Sequence, residues 1–144
     1  MLTSLAHTAI SVADMERSLN FYRDLLGLKV VMDVETDSPK LGVIVGLQGA
    51  KTRIVMLEID NQKIELFQYQ TPKGVPMPEG FRQCDNGLTH MAFNVTDMDD
   101  MCQKLKSKNV HFYSEPQSLR GEMKVVYFKD PDGVTLEFMQ SLKE

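Results

Sequence analysis

Four residues in this chain combine a type and a spacing that could do chemistry: His7, Glu65, His90 and Glu137. The two histidines open near-copies of one nine-residue phrase, HTAISVADM at 7–15 and HMAFNVTDM at 90–98, which agree at five of nine positions. The two glutamates sit in a second matched pair, IELFQY at 64–69 and LEFMQ at 136–140, each inside an otherwise apolar run. A carboxylate or imidazole that faces a cavity without a partner costs several kcal/mol, or gives up its charge. Two of each on one wall therefore need a shared neutraliser, and a divalent cation supplies it. Two imidazoles and two carboxylates form a formally neutral set around such an ion. The set suits Ni, Co, Zn, Mn or Fe and is too rich in nitrogen to favour Mg or Ca. The third histidine, His111, stands outside the repeat and is expected at the surface.

These groups must be positioned by regular elements. With a period of two, His7, Ala9 and Ser11 fall on one side of a strand and Thr8, Ile10 and Val12 on the other. Asp14 then stands where a helix N-cap belongs. Met15, Leu19, Tyr22 and Leu26 follow as an apolar stripe, and Gly27 closes the helix. The second copy predicts a strand over 88–95, Asp97 as cap, and a helix with Met98, Met101, Cys102 and Leu105 on one face, ending near Asn109.

Strands come after each helix. LKVVMDV and RIVMLEI are strand-like, and KIELFQY returns after the polar DNQ turn. PKLGVIVGLQGA, between the first two of these, reads as a short helix. In the second half HFYS reads as a short strand, and KVVYF and VTLEFMQ form a hairpin around KDPDG. On these arms Glu65 shares a face with Lys63, Phe67 and Tyr69, and Glu137 shares one with Thr135 and Met139. If the opening and closing strands of each unit line the same sheet, His7 converges on Glu65 and His90 on Glu137. Residues 71–87 hold three prolines and three glycines and read as a linker. The expected architecture is α+β: two strand–helix–strand–strand–strand units, over about 4–70 and 88–141, within a single domain of 144 residues.

Composition narrows the class of function. Neither half alone would bury enough apolar surface to be comfortably stable, so two units sharing a core suit a chain of this length. At 42% hydrophobic and 25% charged residues the chain is of ordinary globular type, and no apolar run approaches the length of a membrane span. The N-terminus MLTSLAHTAI lacks the basic start, apolar stretch and cleavage site of a secretory signal, so a cytoplasmic address is expected. Cys84 and Cys102 form no CxxC pattern and are expected to be reduced thiols. The net charge of −4, with scattered Lys and Arg, leaves no footprint for nucleic acid. Arg82, Arg120 and Lys124 lie on predicted loops or strand ends and are candidates to hold an anionic substrate group, although solvated charge is the commoner role.

The segments HTAISVADMERSLNFYRDLLGLKV, IELFQY, GLTHMAFNVTDMD and KVVYFKDPDGVTLEFMQ together resemble the vicinal oxygen chelate superfamily, over essentially the whole chain. That superfamily includes glyoxalase I, methylmalonyl-CoA epimerase, extradiol dioxygenases and fosfomycin or bleomycin resistance proteins. The resemblance implies two βαβββ units pairing into a half-open β-barrel around a metal site, with His7, Glu65, His90 and Glu137 as ligands of one divalent ion. It further implies a homodimer and a small-molecule substrate, a carbonyl or thioester. The reaction would be a lyase or isomerase step that moves a proton beside a metal-held carbonyl, with Glu137 or Glu65 as the base. Ser11 stands where glyoxalase I carries the Arg that grips glutathione, and Glu65 stands where the epimerase has Gln. The resemblance thus points to a reaction class rather than to one substrate. Alternatives of other classes are a ring-cleaving dioxygenase and a non-catalytic binder of a small molecule such as an antibiotic. A ring-cleaving dioxygenase needs three open positions on its metal, which four protein ligands do not leave.

Overall fold

The computed structural model describes residues 1–143, and the chain divides into two compact units, Met1–Pro76 and Met77 onward. Each unit holds one four-stranded mixed sheet.

In the first unit β1 (Thr8–Ser11) is followed by α1 (Met15–Leu19), β2 (Lys29–Thr36), α2 (Pro39–Val45), β3 (Lys51–Ile59) and β4 (Gln62–Thr71). The sheet order is β1-β4-β3-β2. β1 runs parallel to β4, and the β2–β3 and β3–β4 pairs are antiparallel. The period-two reading of β1 is correct: Ile10 and Val12 are buried, while His7, Ala9 and Ser11 are exposed. Asp60 and Asn61 join β3 to β4 with positive φ at both positions, the conformation that matches the twist of a two-residue hairpin.

The first helix departs from the simple stripe. After α1 the chain continues as a π-helical stretch, Asn20–Leu25, in which Leu26 N–H donates to the Phe21 carbonyl. The wider turn shifts the inward-facing register. Phe21 joins Met15, Leu19 and Tyr22 in the core, and the expected fourth residue, Leu26, is only half-buried. Gly27, at φ 86°, then ends the helix as expected. The segment after β2 is helical over Pro39–Val45, with Pro39 in the first turn and Gly46 as a left-handed C-cap, so it stops short of Ala50.

The second unit contains β5 (Met91–Asn94), α3 (Met98–Lys106), β6 (Gln117–Leu119), β7 (Met123–Lys129) and β8 (Thr135–Ser141), in the sheet order β5-β8-β7-β6. β5 is shorter than the expected 88–95. HFYS is not the third strand. It makes a single bridge, Phe112 to Phe128, and the strand role passes to QSL, which pairs with β7. The aromatic residues of HFYS instead stack onto the sheet, Phe112 against Phe128 at 5.4 Å between ring centres. In the hairpin, Asp130 Oδ1 accepts from the N–H groups of Asp132 and Val134 while Gly133 takes φ 90°, which is why KDPDG turns the chain. Met98, Cys102 and Leu105 bury one face of α3 over Val126, Phe128, Leu136 and Phe138.

One device is duplicated along with the strands. Asp14 accepts from the N–H of Arg17, and Asp97 from that of Asp100, each capping its helix. Gln68, three residues after Glu65, accepts from Met15 N–H at 3.2 Å. Gln140, three residues after Glu137, accepts from Met98 N–H at 2.8 Å. Each closing strand thus ties down the start of its own helix, and so fixes the opening strand that carries the histidine.

Among the described residues no helix is long and apolar enough to cross a membrane. Cys84 is exposed and Cys102 buried, both as free thiols, with burial pushing the Cys102 thiol up.

Candidate metal half-sites

Each histidine lies one residue before its strand, beside the closing strand that runs parallel to it. Ala9 pairs with Glu65 and Ala92 with Glu137, the same register in both units. In consequence His7 Nε2 faces Glu65 Oε2 at 3.2 Å and His90 Nε2 faces Glu137 Oε2 at 3.3 Å. The carboxylates are largely sheltered, with side chains 14% exposed for Glu65 and 10% for Glu137.

Charge-assisted N–H···O⁻ contacts are ordinarily about 2.7–2.9 Å long. Two donors held cis on one first-row ion, each about 2.1 Å from it, are about 3 Å apart. The observed spacings of 3.2 and 3.3 Å are slightly longer than either, and in both units the groups facing each other are an imidazole nitrogen and a carboxylate oxygen. By donor chemistry, an imidazole nitrogen beside a carboxylate oxygen in each unit is a pair that suits a divalent cation. Among the described residues no three His, Cys, Asp or Glu side chains are grouped so as to hold an ion.

The surroundings of the two pairs differ. Next to Glu65, Met56 is the β3 partner, and Phe67 and Tyr69 stack at 5.6 Å on the same face of β4. Next to Glu137 the β7 partner is Tyr127, whose ring lies 4.9 Å from that of His90. Burial, and then the neighbouring Glu137 charge, push the Tyr127 phenol up. Behind His90, Nδ1 meets Thr89 Oγ1 at 3.0 Å and Gln83 Oε1 at 3.2 Å. Gln83 Nε2 donates to Thr135 Oγ1 at 3.0 Å, and Thr135 also meets Lys129 Nζ and Tyr113 Oη. Burial opposes ionisation of Tyr113, yet hydrogen bonding by Lys129 and Thr135 outweighs it and holds the phenol below its ordinary value.

Gln83, Thr89, Tyr113, Tyr127, Lys129 and Thr135 were not legible as site residues in the sequence. Gln83 falls at the end of the proline-rich stretch read as a linker, where no periodicity marks a face. The basic residues considered for an anionic group are engaged or solvated: Arg82 bonds Asp85, Lys124 bonds Asp99 at 2.6 Å, and Arg120 is exposed in a positive-φ turn. His111 is exposed, as expected.

A duplicated unit of one helix and four strands, with a His–Glu pair across each parallel strand contact, defines a class of α+β proteins built by internal repetition. The sequence model of the Glyoxalase/Bleomycin resistance protein/Dioxygenase superfamily matches residues 4–138, and the chain belongs to that superfamily. It is 26% identical over 138 residues to a probable lactoylglutathione lyase of Synechocystis, covering 95% of each chain. It is 31% identical over 146 residues to the mitochondrial methylmalonyl-CoA epimerase of Mus musculus, covering 97% of this chain and 74% of the relative. A glyoxalase family protein from Bacillus cereus superposes with a TM-score of 0.92 at 19% identity, over 99% of this chain and 97% of that one. The fosfomycin resistance protein FosX from Listeria monocytogenes, complexed with Mn(II) and sulfate, superposes at 0.66 with 15% identity, over 98% of this chain and 94% of that one.

Proposed function

We propose that this protein is a divalent-metal-dependent lyase or isomerase that moves a proton beside a carbonyl, of the lactoylglutathione lyase or methylmalonyl-CoA epimerase type. His7, Glu65, His90 and Glu137 hold one ion of Ni, Co, Zn, Mn or Fe. The observation that carries this reading is the matched pair of Nε2-to-Oε2 contacts, at 3.2 and 3.3 Å, in identical strand register. When bound, the ion would act as a Lewis acid toward a substrate oxygen, an effect worth several kcal/mol on developing negative charge.

The chain's own residues supply the rest. Glu137 or Glu65 takes the proton from carbon at a carboxylate oxygen and returns it. A positioned base of this kind is worth about 10² to 10⁴ in rate. Burial of the Glu137 side chain beside Tyr127 limits competition from water. The similarity to a probable lactoylglutathione lyase and to a methylmalonyl-CoA epimerase supports a small-molecule substrate with a carbonyl or thioester. A homodimer belongs to the same reading. Val31, Met32 and Val34 of β2 are exposed, an apolar strip that a second copy would cover. The proposed working site is the cytoplasm.

The test is a parallel activity screen of metal-reconstituted protein with methylglyoxal–thiol adducts, acyl-CoA epimers and catechols. Metal-dependent turnover of a member of the first two groups is expected. Oxygen uptake with a catechol under Fe(II), and no turnover of the others, would replace this reading with ring cleavage.

A further inference from the structure

We infer that Gln83 is a positioning residue: it fixes the proton of the His90 ring on Nδ1 and so keeps the Nε2 lone pair directed at the Glu137 side, open to a cation. The inference rests on the reading of His90 as a metal ligand, and it adds a residue from outside both repeated motifs.

The side-chain amide of Gln83 faces three groups: the Thr89 carbonyl at 3.4 Å, Thr135 Oγ1 at 3.0 Å and His90 Nδ1 at 3.2 Å. A carbonyl oxygen can only accept, so the amide NH₂ must point at Thr89, and this sets the orientation of the whole amide. Oε1 is then the atom facing His90. Because Oε1 only accepts, Nδ1 must be the donor, and in a neutral ring Nε2 is left unprotonated. The Thr89 hydroxyl, at 3.0 Å, can accept from the same N–H.

The amide is itself held from behind. Lys129 Nζ and Gln83 Nε2 both only donate, and together they occupy the acceptor positions of Thr135 Oγ1. The Thr135 hydroxyl hydrogen is thereby directed to Tyr113 Oη at 3.1 Å. Thr135 is 2% exposed, so the amide is braced by a buried group rather than by a solvated one. A ring tautomer set by a hydrogen bond on the nitrogen away from the ligand position is the arrangement that orients metal-binding histidines. Without Gln83 the strongest remaining acceptor beside the ring is Glu137 Oε2, which would draw the proton to Nε2, the position a cation needs.

The test uses the full chain, with Zn²⁺ alone as probe, and compares wild type, Gln83→Leu and Gln83→Glu, each checked for folding by thermal unfolding. Side-chain ¹⁵N spectra of the metal-free protein at about pH 9, above the ordinary imidazole range, report which ring nitrogen of His90 carries hydrogen. The wild type is expected to be protonated at Nδ1. Gln83→Leu is expected to move the proton toward Nε2 and to weaken Zn²⁺ binding about 10- to 100-fold. Gln83→Glu keeps an acceptor for Nδ1–H and is expected to retain the wild-type tautomer and most of the affinity. The inference is overturned if the wild-type ring carries its proton on Nε2, or if folded Gln83→Leu matches wild type in both tautomer and affinity. Failure of Gln83→Glu alongside Gln83→Leu would also overturn it, because the role would then be general packing. Wild-type protein that binds no Zn²⁺ refutes the metal reading instead, while the ring-nitrogen signals still decide the role of Gln83.

Discussion

In the first unit the ring of His7 meets Glu65, and among the described residues its other nitrogen has no hydrogen-bond partner; the side chain is 40% exposed. In the second unit the ring of His90 is held on both sides, by Glu137 in front and by Thr89 and Gln83 behind, and Tyr127 packs beside it. The strand register is the same and the facing distances are nearly equal, at 3.2 and 3.3 Å. The backbone has thus kept the geometry of the pair in both copies, while the side chains around it have diverged. A pair braced from behind loses less freedom on binding a cation than one that is not. The His90–Glu137 pair is therefore the more preorganised of the two, and the His7–Glu65 pair is the one left free to adjust.

The sharpest way to break this comparison is through the carboxylates. Glu137→Gln is expected to lower activity by about 10² to 10⁴ if Glu137 is the base. Glu65→Gln should fall well short of that loss in kcat if Glu65 serves only as a ligand. Equal losses in kcat would show that the two halves are catalytically equivalent, and pre-steady-state kinetics with saturating metal separates the cases. Next in size are the residues that follow each glutamate and lie under it. Phe138 is 1% exposed and Leu66 is fully buried. Phe138→Ala is expected to cost about 3–5 kcal/mol and Leu66→Ala about 2–5 kcal/mol in denaturant unfolding.

Smaller effects test the duplicated brace. Gln68→Ala and Gln140→Ala each remove the acceptor for the first N–H of a helix, and each is expected to cost about 1 kcal/mol. Similar values would show that the brace works alike in both copies. The smallest effect concerns Asp33: Arg53 pairs with Glu16 as Lys124 pairs with Asp99 in the second unit, but Arg53 also holds Asp33. The Arg53 hydrogen bonds hold the Asp33 carboxyl below its usual range, against the opposing effect of burial. A carboxyl depressed in the folded state stabilises the fold above its unfolded value of about 3.9 and loses that contribution as pH falls below it. Asp33→Asn should therefore lower stability slightly at neutral pH, leave it nearly unchanged in strong acid, and so flatten the acid limb of the stability profile.

Much of this organisation could be read from the chain itself. The repeat of HTAISVADM in HMAFNVTDM placed both opening strands and both capping aspartates, because period-two burial and N-cap chemistry are local. The positions of Glu65 and Glu137 followed from comparing the two copies. What escaped was set by tertiary contacts. The π-helical stretch over Asn20–Leu25 comes from fitting Phe21 and Tyr22 into one core, and a spacing of 3 and 4 cannot announce it. HFYS has strand-like residues, but its aromatic rings stack on the sheet and QSL forms the ladder. Gln83 is 52 residues from Thr135 and only acquires a role when the end of the apparent linker folds against β8.

The central claim is that the two His–Glu pairs together hold one cation. Titration of metal-free protein with Zn²⁺ by calorimetry, with the bound metal counted by elemental analysis, tests it most directly. About one ion per chain is expected, with Glu65→Gln and Glu137→Gln each removing most of the binding. Two ions per chain, or wild-type affinity retained after either substitution, would contradict it.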